Sequence, residues 1–380
     1  MIASTHVPST GAASSPESVD TVHEPVTQRR ARNRNLQWLR GVAALFVLLY
    51  HASTYINFTF KDDRFAKVFN HEFGLIGVAI FFAISGALMA EILKTTAPGP
   101  FIIHRVLRIY PIFILAAIVL PFAFGLDAGV DSRALSLVPV GTNANYRLAV
   151  EWTLVFEVFF YVVLFLIAVA GWTRHLNAIA VVWLMLAVGG ALFAPEQQAR
   201  LVLWIYEMPF VAASAAFAGG LLIPSLARRH TFQPALAAVA VALSAIAAQA
   251  DGLGVPRLFA SAAAVVLVGL AMSPEFRGER DTVFTRIATK LGDWSYALYL
   301  CHVPVIMGMH TYLPFGPVAM WFATVIGALL LAIPLGMLDI RLYAWLRKRS
   351  DRSTPESFRR WAWIYVGVYL AIAFVFLFKD

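Results

Sequence analysis

Charge and cysteine are both scarce in this sequence. Charged residues fill 14% of its 380 positions, against about 25% in soluble domains. The single cysteine, Cys301, excludes an internal disulfide framework and a thiolate zinc site; it reads as a small buried residue. An apolar stretch is missing from the first 28 positions, which are rich in Ser, Thr, Pro and Ala. That excludes a cleaved secretory signal there and points to a disordered tail.

Apolar residues supply 60% of the chain and the mean hydropathy is +0.72. They gather in runs of about 20 residues, the length of a membrane-crossing helix. The expected fold is all-α, a polytopic integral membrane helical bundle of about 10–11 transmembrane helices. Spans are expected near 36–57, 74–93, 109–126, 152–171, 176–194, 201–222, 235–250, 257–272, 292–310, 317–340 and 361–378. No internal repeat or long soluble domain is visible, so any chemistry belongs in or beside the bundle.

The net charge of +8 does not imply nucleic acid as a partner. Most basic residues flank apolar runs, where retention on the cytoplasmic side explains them. Arg29, Arg30, Arg32 and Arg34 precede the first run, and Arg341, Arg347, Lys348, Arg349, Arg352, Arg359 and Arg360 precede the last. A cytoplasmic N-terminus puts both clusters inside. With eleven crossings, the C-terminus then faces the opposite side.

Ionisable residues inside a span cost at least about 2.5–3.5 kcal/mol each, so each needs a reason. The expected spans hold Arg40, His51, Glu157, Glu207 and His302, with Asp339 near a span end. Arg40 and His51 are eleven residues apart, which puts them on one helix face about 16 Å apart. Counting residues along their helices brings His51, Glu157 and Glu207 to similar depth, and His302 near the midplane. A histidine beside a carboxylate suits a general base with its orienting partner; a helix-packing hydrogen bond is the plainer alternative. Arg105 and Arg108, three apart at the expected start of the third span, point the same way. There they suit a bound phosphate or ordinary lipid-headgroup anchoring.

Several segments together resemble the membrane acyltransferase-3 family. They are Leu36-Gln37-Trp38-Leu39-Arg40-Gly41 leading to Tyr50-His51; Phe73-Gly74, Gly77-Val78 and Phe81-Phe82-Ala83-Ile84-Ser85-Gly86; Arg105 and Arg108 up to Pro111; Trp152 to Glu157 with Phe160-Tyr161; and Leu291-Gly292 with Ser295-Tyr296 through His302. The resemblance covers residues 36–346, preceded by the tail 1–35 and followed by a basic cytoplasmic loop and extra span over 347–380.

The resemblance implies a transferase in a bacterial inner (plasma) membrane that moves an acyl group, expected to be acetyl, from acyl-CoA to a sugar hydroxyl of a cell-surface glycan or exopolysaccharide. It implies His51 and Glu157 as catalytic residues, with Arg105, Arg108 and Arg40 at the donor. Glu157 would orient His51, which acts as general base or acyl carrier. Gln37, where many members carry Asp, resembles the exopolysaccharide-acetylating branch. No metal is expected. Expected partners are the lipid bilayer, a glycan or lipid-linked sugar acceptor and polysaccharide-assembly proteins. The competing reading is a transporter or flippase of lipid-linked sugars, which would need no acyl donor.

Overall fold

The computed structural model describes residues 26–126, 131–141, 145–229, 231–273 and 282–378, with side chains from Arg34 onward except that of Phe284. Of the expected tail 1–35, residues 1–25 lie outside what is described, as do the side chains of Arg29, Arg30 and Arg32 and the residues Arg277, Arg280, Lys379 and Asp380. Residues 26–35 are helical, not disordered, and open the first helix. Helix accounts for 80% of the described residues, and no strand occurs among them. This is the outcome lipid enforces, since a helix satisfies its own backbone N–H and C=O groups.

In chain order the helices are α1 Val26–Phe60, α2 His71–Ile92, α3 Pro98–Ala123, the short α4 Ser132–Ser136, α5 Glu151–Val169, α6 Leu176–Phe193 and α7 Ala213–Ala227. Then follow α8 Leu236–Gln249, α9 Gly254–Met272, α10 Val283–Asp293, α11 Ser295–Tyr312, α12 Pro317–Ser350 and α13 Pro355–Leu377. Eight of them (α1, α2, α3, α5, α6, α9, α12 and α13) are long and apolar enough to cross a membrane. The 15-residue α7 and 14-residue α8 are apolar but shorter, about 22 Å at 1.5 Å per residue. The 18-residue α11 has the length, but Tyr296, Tyr299, His302, His310 and Tyr312 dilute its apolar character.

Two expected segments differ. The sixth span is not a helix over 201–222: residues 201–212 form turns and a short 3-10 segment, and the helix begins at Ala213. Trp204 pairs instead with Val140 across an isolated antiparallel bridge, and Pro209 interrupts the run. The basic segment after the tenth span is not a loop, because α12 runs on to Ser350 and α13 starts at Pro355. Thr354 caps α13, accepting the Ser357 N–H at 3.2 Å. The boundary expected at 346/347 therefore falls inside one helix. α13 packs against α3, where Tyr110 and Tyr365 hydroxyls meet at 3.2 Å.

Helix α2 lies at the centre, packed on α1, α7 and α9. Its glycines explain how closely. A Cβ on Gly86 would lie 2.3 Å from the Phe217 carbonyl oxygen, and one on Gly220 of α7 would lie 2.4 Å from the Ala83 oxygen. Small residues at such crossings let two backbones touch, which replaces the hydrophobic drive that lipid removes. The turns α2–α3 and α12–α13 share one end of the bundle, joined by His104 Nε2 and Asp351 Oδ1 at 3.0 Å. This is the arginine end; His51 lies toward the opposite, histidine end.

Candidate active site

Helix α1 carries Arg40 toward the arginine end and His51 toward the other. The His51 ring is held by its own helix and by α11. Its Nδ1 lies 3.0 Å from the Val47 carbonyl oxygen and 3.1 Å from Nε2 of His302. His302 is 1% exposed, and its Nδ1 lies 2.8 Å from the Tyr299 oxygen and 3.1 Å from the Leu298 oxygen. A carbonyl oxygen only accepts, so His302 Nδ1 carries hydrogen. In a neutral ring its Nε2 is then an acceptor. His51 Nδ1 must therefore be the donor, shared between His302 and Val47. Two neutral rings so arranged leave the lone pair of His51 on Nε2, the atom a base or nucleophile uses.

Glu157 does not hold His51. Its Oε1 accepts the hydroxyl of Tyr161 one turn along α5, and Tyr161 in turn meets Ser85 of α2 at 3.3 Å. Similar depth did not bring the two residues together, because depth leaves the facing direction of each helix open. The orienting partner of His51 is His302.

Arg105 and Arg108 are about two and three turns past Pro98, the start of α3. A helix dipole acts within the first turn, so it is not what accounts for them. Arg108 Nη1 meets both carboxylate oxygens of Asp339, at 2.6 and 2.7 Å, and its guanidinium lies over the rings of Tyr296 and Tyr343. Arg105 differs. Its Nε is buried and has no hydrogen-bond partner among the described residues. Arg40 donates to the Gln37 side chain at 3.1 Å, a neutral acceptor where an aspartate would neutralise it.

These residues sort into two adjoining cavities. The arginine-side cavity, about 150 Å³, is lined by Arg40, Arg105, Arg108, Glu157, Tyr161 and Ser85 among others. With Arg108 compensated by Asp339, Arg40 and Arg105 against Glu157 leave its wall positive. The histidine-side cavity, about 300 Å³, holds His51, Tyr50, Trp152, Arg257 and Ser261. Val78, Phe82 and Tyr299 line both and form the wall between them. The site residues are thus divided: four surround the first cavity and His51 faces the second.

Glu207, expected at the level of His51, sits instead in the loop before α7. It pairs with Arg200 at 3.2 Å and accepts the Trp204 N–H at 2.8 Å. The partners of Asp339 and Arg257, namely Arg108 and the Gln198 carbonyl oxygen, are distant in sequence, so residue spacing does not reveal them.

The family model described as an acyltransferase domain, acyltransferase-3, matches residues 33–337. Comparisons with curated proteins and with solved structures each returned no match. The family match covers more than half of the chain and includes all five site residues. The chain belongs to the acyltransferase-3 family and is a multi-pass membrane acyltransferase.

Proposed function

We propose that this enzyme moves an acyl group, acetyl in the first instance, from acyl-CoA to a sugar hydroxyl of a cell-surface glycan or exopolysaccharide. The observation that carries the reading is the pair of cavities: a positive one and a larger one containing a histidine with a free Nε2, parted by three side chains. A phosphate-rich donor suits the first, since charge-assisted bonds to guanidinium groups are about twice as strong as neutral ones. Arg105, whose Nε has no hydrogen-bond partner among the described residues, is the foremost contact, with Arg40 lining the same cavity. A sugar ring suits the second.

In the reaction, His51 Nε2 takes the proton of the acceptor hydroxyl as its oxygen attacks the thioester carbon. The carbon–sulfur bond breaks, and the proton passes to the departing thiolate, giving an ester and free CoA. His302 stabilises the imidazolium by keeping His51 Nδ1 hydrogen-bonded. Glu157 and Tyr161 shape the donor passage rather than touch the base. Gln37 at Arg40 supports the exopolysaccharide branch. The arginine end faces the cytoplasm of a plasma membrane, consistent with Lys94, Arg347, Lys348 and Arg349 at that end.

The test is donor titration of the purified chain. Acyl-CoA consumption should depend on added glycan, and Arg105→Ala should raise the donor KM about tenfold to a hundredfold, the worth of roughly 1.5–3 kcal/mol. A wild-type protein that moves glycan without consuming acyl-CoA would favour the transport reading.

A further inference from the structure

The histidine-side cavity contains a cation that the proposed reaction does not use. Arg257, in the first turn of α9, is 8% exposed and its Nη1 donates to the Gln198 carbonyl oxygen. Its guanidinium lies 5.8 Å from the Trp152 ring centre. No carboxylate pairs with it among the described residues. Glu151, next to Trp152 in sequence, instead accepts the Leu148 and Val150 N–H groups at 2.7 and 3.0 Å. Glu72 meets His71 through Oε1 at 3.1 Å and its Oε2 has no hydrogen-bond partner among the described residues, while Glu207 pairs with Arg200.

The cavity lining itself includes Arg257, His51 and His71 but no Asp or Glu. A buried guanidinium with one neutral carbonyl partner is costly unless an anion completes it. Its place in the first turn of a helix, where the dipole favours negative charge and opposes a cation, adds to that cost. The same features make the position a good receptor for an anion. Trp152 supplies an aromatic face beside it, on which a sugar ring can pack.

Building on the acyl-transfer reading, we propose that Arg257 and Trp152 form an anion-binding subsite for the acceptor. The acceptor then carries a carboxylate or phosphate, held at Arg257 while its hydroxyl reaches His51. The acyl group is delivered to an acidic or phosphorylated sugar rather than to a neutral one.

The experiment measures binding of three probes to the full chain in phosphatidylcholine nanodiscs: glucuronic acid, glucose 1-phosphate and glucose. At least one charged probe should bind about tenfold or more tightly than glucose, the scale of one charge-assisted hydrogen bond. Preference for glucuronic acid assigns a carboxylate, and preference for glucose 1-phosphate a phosphate. The preference should vanish in Arg257→Gln, survive in part in Arg257→Lys, and persist in Arg105→Gln, which reports on the other cavity. Equal or absent binding of the three probes by the wild type overturns the subsite with no variant needed. So does a preference lost in Arg105→Gln but kept in Arg257→Gln. None of these measurements uses a donor. An anion preference without acyl transfer would sink the reaction and keep the subsite, and transfer without the preference would do the reverse.

Discussion

His302 acts on the reaction through one atom. Its Nε2 accepts from His51 Nδ1, so a replacement that still accepts should keep part of the function. His302→Gln offers an amide oxygen and should retain measurable kcat. His302→Leu offers none and should lower kcat about tenfold to a hundredfold with the donor KM little changed. Equal losses in both variants at equal membrane yield would reduce His302 to a packing residue. The two arginines of α3 should separate in the same way. Arg105→Ala should raise donor KM and leave stability near wild type, because its Nε has no hydrogen-bond partner among the described residues. Arg108→Ala strands Asp339, 2% exposed, and should cost roughly 3–5 kcal/mol. Thermal melting in detergent checks this, and Arg108→Leu with Asp339→Leu should recover much of the loss. An Arg108→Ala protein melting at the wild-type temperature would contradict the pairing. At this scale the sequence isolates the costly residues well, since a charge in an apolar run is conspicuous. It does not reveal their partners: the Arg108–Asp339 and His51–His302 contacts join residues on different helices, and the Asp339 position reads only as a span end.

Among the helices, the α2–α7 crossing depends on having no side chain at two positions. Gly86→Val or Gly220→Val should destabilise the protein by about 1–3 kcal/mol through forced separation of the backbones. Gly189→Ala, with open space around it, should melt within about 0.5 kcal/mol of wild type. The comparison is one of melting temperature and detergent-extracted yield, and parity among the three would mean the helices do not meet as described. Apolar length makes most of these helices legible before any packing is known. It fails at Leu201–Tyr206, which is as apolar as a span but is followed by Glu207 and Pro209 and folds as a turn beside Val140. It fails again beyond Ile340, where Arg and Lys end the apolar run but are good helix formers, so α12 continues to Ser350.

For the whole molecule, the account requires that the two cavities address opposite sides of the membrane. Cys301 is buried, so cysteines introduced one at a time report sidedness. Ser353→Cys, in the α12–α13 turn, should react with a membrane-impermeant thiol reagent only after lysis. Lys67→Cys, between α1 and α2, should react in intact cells. Labelling of Ser353→Cys from outside would reverse the orientation and move the donor cavity to the wrong side. The division into cavities was not legible in the sequence: residue counting gives depth along a helix, whereas membership of a cavity depends on rotation and on wall residues such as Phe82 and Tyr299. The most direct test of the central claim is mass spectrometry of surface glycans from cells that lack this gene and are supplied with either the wild-type or the His51→Ala chain at matched membrane levels. The wild type should restore the acyl mass increment and His51→Ala should leave it absent; an increment of wild-type size from His51→Ala would contradict the assignment of His51 as the base.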